Sequence, residues 1–486
     1  MSQILFTNSY FYKFDAKQWE FQQPYPPYGT MYAAAMMREL GYSVALFDAN
    51  LIDAPTDILP TLEKEKPKYL VIYEDGFNYL TKMCLTVMRE AAFELTKLGK
   101  KHNCTVIVSS SDSTDHHEKY LEEGADFVLL GEAELTLKEL IEELEKGVTD
   151  FDHIKSLAFL KEKEVVKTIK RPVLRALDDL PNPAWDLIEV EPYRKIWENN
   201  KGFLTLNIAT TRGCPYKCNW CAKPIYGNRY NSRSPERVVD EIEMLVNTHN
   251  ARYFWMCDDI FGLKPNWVQK FRDLLKERNL NIQYKIQSRA DLLLKEDNII
   301  ALAQSGLHEV WIGAESGSQR ILDLMDKGTT VEQIYDATKL LKSKHIRVAF
   351  FLQFGYMDES REEIQQTIDM VTDLMPDDIG ISVSYPLPGT KFYEMVKKQM
   401  NKENWVDSAD LDMMYSGSFK SDFYKQLHRY IHKTYRKKQG IENLKTALSQ
   451  PNKLNKEQLR SALATLYYIP TARLEKFRLN RLEEAK

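Results

Sequence analysis

Thr210-Thr211-Arg212-Gly213-Cys214-Pro215-Tyr216-Lys217-Cys218-Asn219-Trp220-Cys221 places three cysteines within eight residues. The C-x3-C-x2-C spacing holds three thiolates in one short loop, close enough to grip three corners of an iron–sulfur cube and leave the fourth iron without a protein ligand. A disulfide knot is disfavoured in a long chain with six cysteines and no secretory leader. A structural zinc site needs a fourth ligand, usually from a second C-x2-C or H-x3-H pair. The pair of that kind here, His428 and His432, lies far downstream and brings no cysteine with it.

Around this loop the chain alternates between strand and helix patterns. Apolar runs at Leu204–Ala209, Tyr253–Cys257, Ile282–Gln287, Glu309–Gly313, Val348–Phe354 and Ile379–Ser384 read as strands. Helical patterns cover Pro235–Asn247, Asn266–Arg278, Lys295–Ser305, Val331–Lys344 and Ser360–Leu374. The class is α/β, and six β/α units predict a partial barrel over 201–395 with its chemistry at the strand C-termini. The cysteine loop directly follows the first of those strands.

A second α/β unit is expected over 1–150. Strands read at Ile4–Ser9, Val44–Phe47, Tyr69–Tyr73, Thr105–Ser109 and Phe127–Leu130, with helices at Met31–Leu40, Leu80–Leu98 and Thr136–Leu144. Such alternation predicts a Rossmann-like parallel sheet that takes its ligand at the carboxyl ends of the strands. An aromatic loop, Tyr10 to Tyr28, follows the first strand. Residues 151–200 read as a connector, with a hairpin (Leu157–Leu160, Val165–Ile169) and a Pro-rich crossing at Leu177–Asp186. Residues 396–486 are helical by pattern, with an aromatic stripe from Tyr415 to Tyr435 that reads as packing.

Composition is that of an ordinary globular chain, 43% apolar and 28% charged. No apolar run approaches the roughly 20 residues of a membrane span, and a cytoplasmic location is expected. A net charge of −4 exerts no global pull toward nucleic acid. Residues 401–486 carry 17 basic against 10 acidic side chains, a local excess that suits an anionic substrate, an acidic partner or a solvated face.

Several ordered motifs resemble the radical S-adenosylmethionine (SAM) family that carries an N-terminal cobalamin-binding domain. They are Pro27-Tyr28-Gly29-Thr30-Met31-Tyr32-Ala33, Gly124-Ala125-Asp126 to Gly131-Glu132-Ala133-Glu134, the linker Leu177–Asp186, the cysteine loop, Asp258-Asp259-Ile260-Phe261, Arg289-Ala290-Asp291, Gly313–Gly317 and Pro386-Leu387-Pro388-Gly389-Thr390. They span about residues 24–390. Two departures stand out: Ala133 replaces a glycine between two acids, and Ser109–Thr114 stands where a glycine-rich turn is usual.

The resemblance implies a [4Fe-4S] cluster on Cys214, Cys218 and Cys221, SAM on the open iron, and cobalamin. It places SAM against Trp220, Asp258, Asp259, Arg289 and Glu315, with Glu315 accepting from the ribose or pairing Arg289. Two adjacent acids at a strand end are costly unless solvated or paired, and SAM's ammonium would suit one of them. Cobalamin is expected against Tyr28, Gly29, Phe77, Asn78, Ser110, Ser111, Asp112, Gly131 and Glu132. No D-x-H-x-x-G is present, so the cobalt should lack a histidine ligand; His116 and His117 read as turn residues. Cys257 reads as a core thiol.

The implied reaction is methylation of an unactivated carbon through methylcobalamin and a 5′-deoxyadenosyl radical. The substrate would be a small molecule or peptide, and the external electron donor flavodoxin- or ferredoxin-like. A non-methylating cyclase or rearrangement enzyme shares every motif, and a cobalamin or redox sensor is the non-catalytic alternative. A methylthiotransferase would need three further N-terminal cysteines, whereas only Cys84 and Cys104 are there.

Overall fold

The computed structural model describes residues 2–221, 225–449 and 456–484. Strands β1 (Ile4–Thr7), β2 (Val44–Phe47), β3 (Tyr69–Tyr73), β4 (Thr105–Ser109) and β5 (Phe127–Leu129) form a parallel sheet in the order β2-β1-β3-β4-β5. Strands β1, β3 and β5 are buried along their whole length, as expected of apolar runs covered by helices on both faces. The hairpin read as part of the connector belongs to this sheet. Its strands β6 (Leu157–Lys161) and β7 (Glu164–Lys167) add antiparallel to β5, which otherwise would be an open edge.

Strand β8 (Thr205–Ile208) begins the second unit. The two-residue strands β9 (Thr211–Arg212) and β10 (Asn231–Ser232) pair antiparallel and close the base of the cysteine loop. Strands β11 (Tyr253–Met256), β12 (Gln283–Ser288), β13 (Leu307–Glu315), β14 (Arg347–Phe354) and β15 (Asp378–Val383) complete a curled all-parallel sheet in sequence order with β8. This is the expected six-unit partial barrel. Helix starts follow local chemistry: Ser234 caps Pro235–His249, and Thr330 with Gln333 and Ser360 with Glu363 form capping boxes.

Two local expectations are corrected. The single helix read over Leu80–Leu98 is two, Tyr79–Lys82 and Thr86–Lys101. The break falls at Cys84, whose φ of +55° no helix accepts. The second helix also runs past the expected end at Leu98 and through Gly99, where the absent side chain allows close packing: a Cβ there would meet Leu70 Cδ2 at 2.5 Å.

The aromatic loop after β1 reaches the barrel through Tyr25, while Phe11 joins the core of the first unit and Phe14 and Phe21 are exposed. Tyr25 packs on Trp197 and Trp255, and Lys285 of β12 lies 5.4 and 5.5 Å from the Tyr25 and Trp255 ring centres. Burial lowers the Lys285 ammonium to a pKa of about 8, against the nearby Glu309 carboxylate. The stripe at Tyr415, Phe419, Phe423, Tyr424, Tyr430 and Tyr435 is buried packing, as read.

Buried charge ties the two units together. Arg212 is 3% exposed and pairs with Glu132 at 2.6 Å and Glu134 at 2.7 Å, while its guanidinium lies over the rings of Tyr32, Phe77 and Tyr226. Glu241 of the barrel, fully buried, accepts from Tyr28 Oη and Trp185 Nε1 (both 2.9 Å) and pairs with Arg233 at 2.6 Å. Breaking one partner of a buried pair leaves a bare charge, which costs about 3–5 kcal/mol. Arg212→Met should therefore lower the unfolding free energy by about that amount in denaturant titration, whereas Lys161→Met, which breaks exposed pairs with Asp150 and Asp152, should cost about 1 kcal/mol or less.

Candidate active site

The carboxyl edges of both sheets face one cavity of about 360 Å³. Cys214, Cys218 and Cys221 all line it, each half-buried. Gly213 makes their loop possible. Its φ is +77°, and a Cβ there would stand 2.1 Å from the Arg229 carbonyl oxygen and 2.8 Å from that of Tyr226. At the other end Asn219 is the anchor: its Nδ2 donates to Leu324 O (2.7 Å), its Oδ1 accepts from Tyr356 Oη (2.9 Å), and its own carbonyl accepts from Phe392 N (2.9 Å). Among the described residues no three His, Cys, Asp or Glu side chains gather closely enough to share a single metal ion. The triad instead suits a polynuclear group in which each thiolate holds a different iron.

Asp258 and Asp259 end β11 side by side on the cavity wall and do different work. Asp258 accepts from Thr210 N (2.6 Å), Thr211 N (2.9 Å) and the Thr210 hydroxyl, so it pins the start of the cysteine loop to β11. Burial pushes its carboxyl up to about 7 despite those donors. Asp259 is paired by Lys82 at 2.7 Å, a cation delivered by the loop after β3. Lys82 is held protonated by that partner in spite of its burial. Cys257, 3% exposed, lines the cavity too, but burial drives its thiol well above the usual range and its backbone N–H donates to Ile208.

Arg289 stacks on Tyr216 at 3.7 Å, and its Nη1 lies 3.9 Å from the Cys218 sulfur. It donates to Asp291 (3.0 Å), Lys327 O (2.7 Å) and Gly328 O (3.1 Å), which leaves little of its fork for an outside carboxylate. The pairing of Arg289 with Glu315 raised by the sequence is not found. Glu315 pairs with Lys327 at 2.7 Å, both side chains buried. Glu315 sits at φ +60° after a register shift in β13, a costly backbone for a non-glycine residue. Gly313 leaves room for the pair, since a Cβ there would meet Lys327 Nζ at 2.7 Å. Trp220 lines the cavity with its indole N–H buried and without a partner.

The residues expected against the second cofactor are spread differently. Phe77 lines the cavity and stacks on Tyr226, 5.2 Å between centres. Tyr28 is committed to Glu241, and Gly29 N donates to Asp75, close enough that a Cβ would sit 3.2 Å from Asp75 Cα. Asn78 and Ser110 cap short helices, and Gly131 N donates to Thr114 Oγ1. Asp112 accepts two bonds from Arg89 and one from Tyr120, and Glu132 holds Arg212. Ser111 keeps a buried hydroxyl with no partner at the carboxyl edge of β4. No histidine is among the cavity's lining residues; His116 and His117 sit where two short helices meet.

Polar residues of this site that escaped the sequence reading include Lys17, Gln18, Lys82, Asn219, Gln287, Lys327 and Gln353. Asn219 was legible in principle, being enclosed by cysteines on both sides. Lys82 and Lys327 had only their isolation to mark them. Trp311, Phe351, Ile381, Val383 and Trp405 add apolar surface to the wall, interspersed with the polar Lys17, Gln18, Gln353, Ser382 and Ser408. A more open cleft of about 450 Å³, beside Arg175, Tyr230 and Lys264, is lined by neither thiol nor carboxylate.

Comparison with known proteins bears on this arrangement. Residues 208–371 match the profile of the Radical SAM superfamily. An uncharacterized methyltransferase of Pyrococcus horikoshii is 28% identical over 84% of the chain and 87% of its own length. The anaerobic magnesium-protoporphyrin IX monomethyl ester cyclase of Rubrivivax gelatinosus is 27% identical over 76% of the chain and 66% of its own length. Among solved structures, the cobalamin-dependent SAM radical enzyme OxsB, with aqua-cobalamin bound, superposes at TM-score 0.74 and 19% identity, covering 99% of this chain and 72% of that one. The radical SAM methyltransferase TsrM of Kitasatospora setae, with cobalamin and a [4Fe-4S] cluster bound, gives 0.67 and 18%, covering 82% and 75%.

Two outcomes follow from the geometry. Gly213→Ala should release the cysteine loop, raising hydrogen exchange over 210–221 at least tenfold and costing about 1–3 kcal/mol, with the barrel strands unchanged. A double-mutant cycle of Lys82→Met and Asp259→Asn should return a coupling of about 1–3 kcal/mol in thermal or denaturant unfolding.

Proposed function

We propose that this enzyme, whose residues 208–371 form a radical SAM domain, is a cobalamin-dependent C-methyltransferase. The observation that carries the reading is the convergence of three thiols, Arg289, Lys327 and three carboxylates on one cavity that is closed on its other side by Phe77, Leu80 and Met83 of the N-terminal unit. Both units therefore present ligand-facing residues to the same space, as a reaction needing two cofactors requires.

The residues present fit those groups. Cys214, Cys218 and Cys221 would hold the cluster, with the Arg289 cation beside the Cys218 sulfur stabilising thiolate charge. Trp220 offers an aromatic face and an unpartnered N–H to a nucleoside, and Glu315, fixed by Lys327 through one oxygen, keeps the other for a ribose hydroxyl. The remaining N–H of Arg289 would take the SAM carboxylate, and the Asp259–Lys82 pair would meet its amine. Cobalamin would be held by the Phe77–Leu85 segment and the Ser111 edge of the first sheet. When bound, these groups supply reductive cleavage of a sulfonium and a methyl carrier; the chain supplies placement, charge balance and exclusion of water. The apolar wall from Trp311 to Trp405 would shield a carbon radical from the solvent. A flavodoxin- or ferredoxin-like donor is the proposed electron source.

Methyl transfer is favoured by the methyltransferase name of the relative aligned over most of both chains. Ring formation is the second reading, favoured by the similarity to the cyclase. Anaerobically reconstituted protein is expected to bind about four irons and four sulfides per chain and to convert SAM to 5′-deoxyadenosine. Cys218→Ala should remove both properties. Zinc in place of iron, or intact SAM in the presence of a full cluster and reductant, would overturn the proposal. On the true substrate, a mass gain of one CH₂ separates methylation from cyclisation.

A further inference from the structure

The last helix, Lys456–Glu484, packs antiparallel along Ser421–Ser449 with its faces reversed. A helix on a soluble core normally turns its large apolar residues inward. Here the inward face is Ala462, Thr465, Ala472, Glu475 and Leu479, all buried and mostly small or polar. The two helices approach so closely at Gly440 that a Cβ there would lie 2.1 Å from Thr465 Oγ1 and 2.7 Å from Ser461 O.

The large residues point outward. Leu459, Leu463, Leu466, Leu474 and Phe477 are 51, 66, 80, 45 and 61% exposed. Their spacing of four, three, eight and three residues keeps them on one stripe, about 80° wide at about 100° per residue and about 27 Å long. Scattered exposed leucines need no explanation, but a continuous stripe of this length does.

Charge decides what covers it. Between Leu459 and Leu482 the five cations, Arg460, Arg473, Lys476, Arg478 and Arg481, are all exposed. The one carboxylate in that stretch, Glu475, is turned inward onto Lys433 and Gln426. A second copy of the chain laid on this face would set like charges against like. An anionic lipid surface meets both features at once, since leucines and a phenylalanine can enter the acyl boundary while flanking arginines reach the headgroups.

We propose that the outward face of Lys456–Glu484 seats the protein on anionic membrane surfaces, lying in the interface and not spanning it. No helix among the described residues is long and apolar enough to cross a membrane. The surface is independent of the cofactor assignments, so its test needs no activity.

Full-length protein should co-sediment with vesicles containing about one third phosphatidylglycerol in phosphatidylcholine, at least tenfold more strongly than with phosphatidylcholine alone, and less so as salt is raised. Leu463→Asp/Leu466→Asp should cut that binding at least tenfold with an unchanged melting profile, because both side chains are exposed. Arg473→Gln/Arg478→Gln should weaken it and flatten its salt dependence. The proposal is overturned if the wild type ignores anionic vesicles, or if the leucine variants bind as the wild type does. It is overturned equally if the wild type is a dimer by light scattering that those variants dissociate, which would make the stripe a self-association face.

Discussion

A single buried guanidinium holds the architecture together. Arg212 stands two residues before Cys214 and satisfies its charge on Glu132 and Glu134, which follow β5 of the other sheet. Removing a cation and two carboxylates from water is expensive, and only close mutual pairing offsets it. The segment that carries the thiols is thereby fixed to both units at once, through Arg212 to the first and through Asp258 and Asn219 to the second. Burial pushes Glu132 toward its neutral form, but the neighbouring guanidinium opposes the shift. The three aromatic rings around Arg212 thicken the low-dielectric shell that makes the pairing specific.

Within the cavity, charge is arranged in neighbouring opposites. Lys82 answers Asp259, Lys327 answers Glu315, and Arg289 answers Asp291 while standing close to the Cys218 sulfur. Each cation is buried or nearly so, and each reaches the wall from a different segment. The arrangement leaves none of these three cations isolated and sets one of them, Arg289, beside a thiol. Aromatic and aliphatic side chains, among them Trp311, Phe351 and Trp405, share the lining with these charges. On the same sheet, Lys285 reaches the Tyr25 ring.

Much of this was legible in the chain. Short apolar runs alternating with period-3.6 stretches located all six barrel strands and five first-sheet strands, because strands covered on both faces read as unbroken apolar segments between turn residues. Cys214, Cys218, Cys221, Trp220, Asp258, Asp259, Arg289 and Glu315 do meet in one place, as residues at the ends of adjacent parallel strands must. Partner choice was not legible. Nothing local says that Glu315 would take Lys327 in place of Arg289, or that Asp259 would be met by a lysine from 177 positions upstream. Pairings of that range depend on how two sheets dock, which no window of sequence encodes. For the same reason Tyr28, Asp112 and Glu132, singled out by motif, are engaged in contacts within the protein, and Tyr25 of the aromatic loop packs against the barrel. The hairpin at 157–167 shows the same limit: its strands were plain, but their attachment to β5 was not.

The Lys82–Asp259 contact joins the two units on the wall of the cavity. Its side chains are only 9 and 20% exposed, so a movement that drew the units apart would strip each of its partner and leave two bare charges in poorly hydrated surroundings. The same pair that lines the ligand space thus resists the separation of its two halves.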